Sequence, residues 1–144
     1  MDKLDKIRTW ARDFDDPILC FVRGTDPEVI KLVKLVVEEP GVQVILMGDE
    51  LEVYDQCRKY RLSESRLYGV INPQNPPNLE DLVDEYMEDS GETDRKTALR
   101  WIKTPLNLAH TLWLRGEVDW VIPEIEPFPD PPHLQEDPDS ASKS

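Results

Sequence analysis

The 144-residue sequence has few of the side chains that most often hold metal ions. It contains only two cysteines and two histidines. Cys20, Cys57, His110 and His133 lie far apart in the sequence, and none of their spacings is typical of a metal site. Two well-separated cysteines without a secretion signal indicate free thiols in a reducing compartment. We therefore predict neither a bound metal nor a disulfide.

The motifs of several common enzyme classes are also absent. The sequence has no G-x-x-x-x-G-K-[ST] and no G-x-G-x-x-G, which excludes a P-loop and a dinucleotide fingerprint. It has no G-x-S-x-G, which excludes a nucleophile elbow. Adjacent acids such as Asp15 and Asp16 sit at the ends of predicted elements, where they lack the burial that general acid–base chemistry needs. His110 has apolar neighbours and is interpreted as a packing or half-exposed residue rather than a catalytic one. We predict no catalytic residue and no cofactor.

Basic residues are outnumbered, with 17 Lys and Arg against 30 Asp and Glu and a net charge of -13. This balance argues against binding to nucleic-acid backbones and to anionic membrane surfaces. It favours solubility and basic or neutral partners. A more specific alternative is that the acidic surface mimics a nucleic acid. No apolar run has the length of a transmembrane span, and the first residues lack the apolar core of a signal peptide. The default expectation is a soluble, cytoplasmic protein.

The hydrophobic residues that are present form short runs separated by helical patterns. Four runs are predicted to be buried strands, at residues 18–22, 42–47, 67–71 and 118–122. Helices are predicted at residues 2–12, 27–39, 50–60 and 79–87, then from a Thr93 cap to Ile102, and from a Thr104 cap to a stop at Gly116. This order predicts an α/β fold in three layers, with a mainly parallel sheet of about four strands and helices on both faces.

The composition changes at Pro123. Residues 123–144 hold six of the thirteen prolines and six acids but one lysine. Such a segment cannot bury enough apolar surface to fold alone. We predict a domain at residues 1–122 and a Pro-rich acidic tail at residues 123–144 that is disordered or loosely docked. Ile125, Phe128 and Leu134 are its sizeable apolar residues.

Arg23 is the candidate ligand-binding residue because it follows the first predicted strand. Open α/β sheets bind ligands at the carboxyl edge, and an arginine there can hold an anion bidentately. Gly24 and Thr25 complete this candidate site. The alternative, which we prefer, is a surface salt bridge between Arg23 and Asp26 or Glu28.

Four stretches together resemble a known family. Residues 21–30 read F-V-R-G-T-D-P-E-V-I, residues 44–49 read V-I-L-M-G-D, and residues 70–73 read V-I-N-P. The fourth runs from Thr93 through Ala98 and Thr104-Pro105 to R-G-E-V-D at residues 115–119. Their order and spacing resemble the N-terminal part of the phosphate acetyl/butyryltransferase (phosphotransacetylase) family, whose domain also forms the C-terminal part of some bacterial malic enzymes. The resemblance implies an isopropylmalate-dehydrogenase-like half domain and acyl transfer between coenzyme A and phosphate.

The sequence departs from the family pattern where the substrate would bind. The family usually has a Glu at the position of Arg23. After residue 119 it continues with a Gly and then a Ser-Gly that begins its substrate loop, where this chain has Trp120, Pro123 and Glu124. Pro123 removes an N–H donor, and Glu124 would repel an anion. The resemblance thus implies a chain that stops before the substrate loop and lacks the catalytic half.

These departures favour a non-catalytic, pseudoenzyme-like domain that acts as a protein-binding or regulatory module. We expect a protein partner or self-association, because aromatic side chains suit such contacts. The candidate contact residues are Trp101, Trp113, Trp120 and Phe128. The first alternative is a truncated or split phosphate acyltransferase, which would bind coenzyme A and acyl phosphate. The second is a small-anion sensor that uses Arg23.

Overall fold

A computed structural model of the chain describes residues 2–132. Ten main elements follow one another, and a short 3-10 helix, Glu64–Arg66, precedes the third strand. In chain order they are α1 (Lys3–Ala11), β1 (Ile18–Phe21), α2 (Pro27–Val36), β2 (Gln43–Met47), α3 (Glu50–Lys59), β3 (Gly69–Ile71), α4 (Leu79–Ser90), α5 (Arg95–Ile102), α6 (Pro105–Leu114) and β4 (Trp120–Ile122).

The four strands form one parallel sheet in the order β3-β2-β1-β4. The connections β1-α2-β2 and β2-α3-β3 move toward one edge of the sheet. The long connection through α4, α5 and α6 then returns to the opposite side of β1. The predicted α/β fold with a parallel four-stranded sheet and helices on both faces is confirmed.

The sheet separates two hydrophobic cores because alternate side chains of a strand point to opposite faces. In β1, Leu19 and Phe21 join the core under α1, α2 and α3, whereas Cys20 joins the core under α4, α5 and α6. All three side chains are fully buried. Burial on both faces explains why the strands read as continuous apolar runs rather than as alternating patterns.

One predicted helix cap needs correction, and a second has the predicted position without a capping side-chain hydrogen bond. Asp94, not Thr93, caps α5, and its carboxylate accepts a hydrogen bond from the Lys96 amide. The hydroxyl of Thr97 also donates to Asp94, and this hydrogen bond is the main reason why the pKa of Asp94 is lowered. Thr104 precedes α6 as predicted, but its hydroxyl donates to the carbonyl of Arg100 rather than accepting from α6.

The strands are shorter than their apolar runs. Only residues 120–122 of the predicted strand at 118–122 form β4. Asp119 lies just before it and is bonded twice to Ile18: its amide donates to the Ile18 carbonyl, and its carboxylate accepts from the Ile18 amide, both at 2.8 Å. These two bonds align the beginnings of β1 and β4.

The first part of the predicted tail lies against the folded domain. Ile125 and Phe128 pack on the core under α1, and Pro131 is buried. Residues 123–132 therefore contribute to packing instead of extending away from the domain. The rest of the predicted tail, residues 133–144, lies outside the described residues. Among the described helices, none is both long enough and apolar enough to cross a lipid bilayer.

Candidate functional site

The strand order changes direction at β1, which creates a crevice between β1 and β4. The connection after β1 covers one face of the sheet, and the connection before β4 covers the other. In open α/β sheets, ligands bind at such a switch point, beyond the carboxyl ends of the strands. The Val22 amide donates to the Ile122 carbonyl at 3.0 Å and holds the two strands together up to this edge.

Arg23 lies at this crevice and pairs with Glu124 rather than with Asp26 or Glu28. Its Nη1 is 3.7 Å from Oε1 of Glu124. The strand register explains the pairing: Phe21 is opposite Ile122, so the residues two positions further on also face each other. Both side chains are more than half exposed, at 60% and 57%. Such an exposed pair contributes little to stability, but it places a carboxylate beside the candidate anion-binding group.

Carboxylates dominate the rest of the crevice, a cleft of about 290 Å³. Its charged lining residues are two cations, Lys3 and Arg23, and four acids, Asp26, Glu28, Glu124 and Glu126. Lys3 Nζ is 3.0 Å from Glu126 Oε2, so this cation is also paired. The Asp26 carboxylate accepts a hydrogen bond from the Glu28 amide at 2.9 Å and so caps the N-terminus of α2. The cleft therefore carries excess negative charge and disfavours anions.

Gly24 and Thr25 have packing contacts at this edge. A Cβ on Gly24 would lie 2.3 Å from the carbonyl oxygen of Met47, closer than two such atoms can approach. The Gly24 amide donates to that same oxygen at 2.9 Å. Thr25 is half-buried, and its methyl group would be 3.1 Å from a Cβ on Gly48. These contacts account for both residues without a ligand, and their role as a ligand site stays a prediction.

The four aromatic residues predicted to contact a partner lie in three separate places. Trp120 is 1% exposed, so it belongs to the core and is not accessible to a partner. Phe128 packs edge-on against it, with ring centroids 5.6 Å apart. Trp101 stacks on Tyr86 of α4 at 4.2 Å. Trp113 is half-buried on α6, where its ring centroid is 5.6 Å from that of His110.

A larger, mainly apolar cavity of about 380 Å³ lies on the other side of the sheet. Ile18 and Ile45 form its floor, and Leu82 of α4 and Leu108 of α6 form its walls. Arg115 stands at its rim and is paired with Glu85 and Glu117, at 2.6 and 2.7 Å. Sequence reasoning missed this cavity, because its walls come from helices that are distant in the chain.

No cluster of three or more potential ligands for a metal ion occurs within residues 2–132. The two cysteine thiols there are buried. Burial raises the pKa of Cys20 to about 12 and is also the main cause of the raised pKa of Cys57. Neither thiol is therefore activated as a nucleophile.

Comparison with known proteins points to one family. The model of the family described as phosphate acetyl/butaryl transferase matches residues 4–123. Among curated proteins, the chain is similar to an NAD-dependent malic enzyme of Rhizobium meliloti (strain 1021), with 27% identity over 111 residues. That match covers 74% of this chain and 14% of the malic enzyme.

Solved phosphotransacetylases have a similar fold. EutD phosphotransacetylase from Staphylococcus aureus superposes with a TM-score of 0.71 at 20% identity, over 83% of this chain and 37% of that chain. A phosphotransacetylase from Streptococcus pyogenes gives a TM-score of 0.72 at 14% identity, over 99% of this chain and 41% of that chain. The chain thus spans less than half the length of either solved protein.

Proposed function

Because the chain belongs to the phosphate acetyl/butaryl transferase family and its switch-point cleft is lined mainly by carboxylates, we propose that it is a non-catalytic, phosphotransacetylase-like module that binds another protein. The observation that carries the proposal is the pairing of Arg23 with Glu124. A phosphate or acyl phosphate at this edge would have to displace Glu124 from the guanidinium and remain beside three further acids. The negative charge of these acids opposes the binding of an anion.

The binding role is supported by apolar side chains that the domain leaves exposed. Leu106 and Leu114 of α6 are 50% and 54% exposed, and they lie two turns apart on one helix. An exposed apolar stripe of this kind is typical of an interaction surface. The carboxylates of the cleft thus support the proposed lack of catalysis, and the exposed leucines of α6 support the proposed binding role.

An acyl-transfer assay tests the proposal. The purified chain is incubated with acetyl phosphate and coenzyme A, and acetyl-coenzyme A is measured against a full-length phosphotransacetylase as the positive control. We expect no rate above the uncatalysed background and no change of thermal midpoint with either compound. Turnover that scales with the concentration of the chain would refute the proposal.

A second candidate function is one part of a split acyltransferase. It is favoured by the retention of the family's sheet and by the fraction of the solved relatives that the chain spans, 37% and 41%. Titration calorimetry with coenzyme A distinguishes the two candidates, because a part that binds the coenzyme should release or absorb heat on its own. Saturable binding would favour the split enzyme over the non-catalytic module.

A further inference from the structure

Helix α6 is unusual in this chain because it carries no charged residue. One third of the sequence, 33%, is Asp, Glu, Lys or Arg, yet the ten residues of α6 read P-L-N-L-A-H-T-L-W-L. Leu108, Ala109 and Leu112 bury one side of the helix in the core. The opposite side carries Leu106, Trp113 and Leu114 together with His110, and large apolar side chains on the outer side of a helix are suited to contact with another element.

Four side chains form this outward stripe, at positions i, i+4, i+7 and i+8 of one helix face. Leu106 and Leu114 are 50% and 54% exposed. His110 is exposed between them, and the half-buried Trp113 lies beside it. The stripe is about two turns long, which matches the contact length of a helix that packs alongside.

The charges around the stripe have the opposite sign to the rest of the protein. Residues 95–116 contain five basic residues and no acidic residue, a charge of +5. The other residues contain 12 basic and 30 acidic side chains, a charge of -18, and the two parts sum to the net charge of -13. The α5–α6 segment is therefore a local basic region on an acidic chain.

Some of these cations are paired within the domain, and some are not. Arg95 is bound by Glu80 and Asp84, and Arg115 by Glu85 and Glu117. Lys96, Arg100 and Lys103 form no salt bridge within residues 2–132, although the charge of Arg100 helps to lower the pKa of Asp94.

Two of the unpaired cations stand at the beginning of the apolar stripe. The carbonyl of Arg100 accepts a hydrogen bond from the Thr104 hydroxyl, immediately before Pro105 opens α6. Lys103 directly precedes Thr104, so Arg100 and Lys103 both belong to the segment that leads from the end of α5 into α6. The surface combines an apolar stripe with positive charge at one end.

We propose that this surface binds an acidic amphipathic helix of a different protein. We call it the α6 surface, and it consists of Arg100, Lys103, Leu106, His110, Trp113 and Leu114. The inference rests on the proposed binding role and specifies its partner. Leucines or similar side chains of the partner would cover the stripe, and its carboxylates would pair with Arg100 and Lys103.

Within residues 2–132, the most acidic helix that a second copy offers is α4, but Leu82 and Val83 on the apolar side of α4 are already buried, at 2% and 0% exposure. Packing α6 against α6 of another copy would leave the unpaired cations without carboxylates.

The experiment uses a fluorescently labelled synthetic peptide that forms an acidic amphipathic helix, with leucines at i, i+4 and i+7 and glutamates on both flanks. The matched peptide has lysine in place of every glutamate. Binding to the full chain is followed by fluorescence anisotropy. We expect the acidic peptide to bind at least about tenfold more tightly than the basic one and to lose affinity as salt is raised.

Two variants of the chain locate the binding surface. The double variant Leu106→Ser, Leu114→Ser should weaken binding of the acidic peptide by roughly tenfold or more, because it removes the apolar contacts. The double variant Arg100→Glu, Lys103→Glu should reduce or reverse the preference for the acidic peptide. Leu51→Ser is the matched control, because Leu51 is 73% exposed on α3 and lies outside the α6 surface. It should bind as the unmodified chain does.

Equal affinity for the two peptides, or unchanged binding by the Leu106→Ser, Leu114→Ser variant, would overturn the inference. So would a dimer in sedimentation experiments that the same variant dissociates, because the partner would then be a second copy. Circular dichroism verifies that each variant is folded. These outcomes are independent of the acyl-transfer assay, so the lack of catalysis and the identity of the partner are tested separately.

Discussion

The indole of Trp10 in α1 packs against the indole of Trp120 in β4, with ring centroids 5.1 Å apart. This contact joins the first helix to the last strand and lies at the centre of one core. Phe128 packs edge-on against Trp120 as well. The Nε1 atoms of both tryptophans are buried and have no hydrogen-bond acceptor within residues 2–132. Their burial is therefore favoured by packing and hydrophobic contact alone.

Replacing Phe128 tests whether the segment after β4 stabilises the domain. We expect Phe128→Ala to lower the free energy of unfolding by about 1–3 kcal/mol, because it uncovers Trp120 and removes a partly buried aromatic ring. Urea denaturation followed by tryptophan fluorescence measures the change. Leu51→Ala, at an exposed helical position, is the control and should change stability by less than about 0.5 kcal/mol. Equal effects of the two substitutions would show that the segment does not contribute.

Substitution of Gly24 tests whether its backbone lies close to the backbone of Met47 at the carboxyl edge of the sheet. Gly24→Ala should lower the free energy of unfolding by about 1–3 kcal/mol or more, because its Cβ would clash with backbone atoms of Met47. Gly69→Ala is the matched control, since a Cβ at Gly69 has no neighbour within 4 Å. Chemical denaturation of both variants decides the question. A stable Gly24→Ala protein would contradict the described packing.

The buried thiol of Cys20 predicts a loss of stability at alkaline pH. Burial raises its pKa from 9.0 to about 12 in the folded chain. The stabilisation is fully present below the pKa of the unfolded state and is lost as pH rises from that value toward the folded pKa. Between about pH 8 and pH 10.5, unmodified protein should lose about 2 kcal/mol more stability than Cys20→Ala. Parallel urea denaturation of the two proteins at each pH measures this difference.

Comparing the unmodified protein with Cys20→Ala isolates the effect of the Cys20 thiol on stability. Cys57 also has a raised pKa, but it is present in both proteins and its effect cancels. Cys20→Ala is expected to be less stable than the unmodified protein at neutral pH because it leaves a small cavity. If the free energies of unfolding of the two proteins changed in parallel over the whole pH range, the raised pKa of Cys20 would be contradicted.

Substitution of Glu124 tests whether its carboxylate is what hinders the binding of anions in the switch-point cleft. We expect millimolar phosphate to leave the thermal midpoint of the unmodified chain unchanged and to raise that of Glu124→Gln, because the substitution frees Arg23 and removes a negative charge. The double variant Glu124→Gln, Arg23→Ala is the control and should lose the effect. If phosphate stabilised the unmodified chain and Glu124→Gln equally, Glu124 would not be what hinders binding.

Much of the fold could be predicted from the sequence because the local signals agree with one another. Apolar runs that end at Gly24 or at Gly48 predict strands, and Asp26 followed by Pro27 predicts the start of α2. The prediction of a Thr93 cap was wrong because Thr93 and Asp94 are both good capping residues, and only the backbone conformation decides between them.

The sequence alone determined the alternation of strands and helices, the charge of -13 and the uncharged composition of α6, because these are properties of local pattern and composition. The tertiary structure decided which distant residues meet. Parallel pairing of β1 with β4 places Arg23 opposite Glu124, although they are 101 positions apart in the chain. The packing of the helices and the segment after β4 on the sheet also buries Trp120, leaves Leu106 and Leu114 exposed, and places Phe128 against the core. These contacts depend on the relative positions of packed elements, which no local sequence pattern specifies.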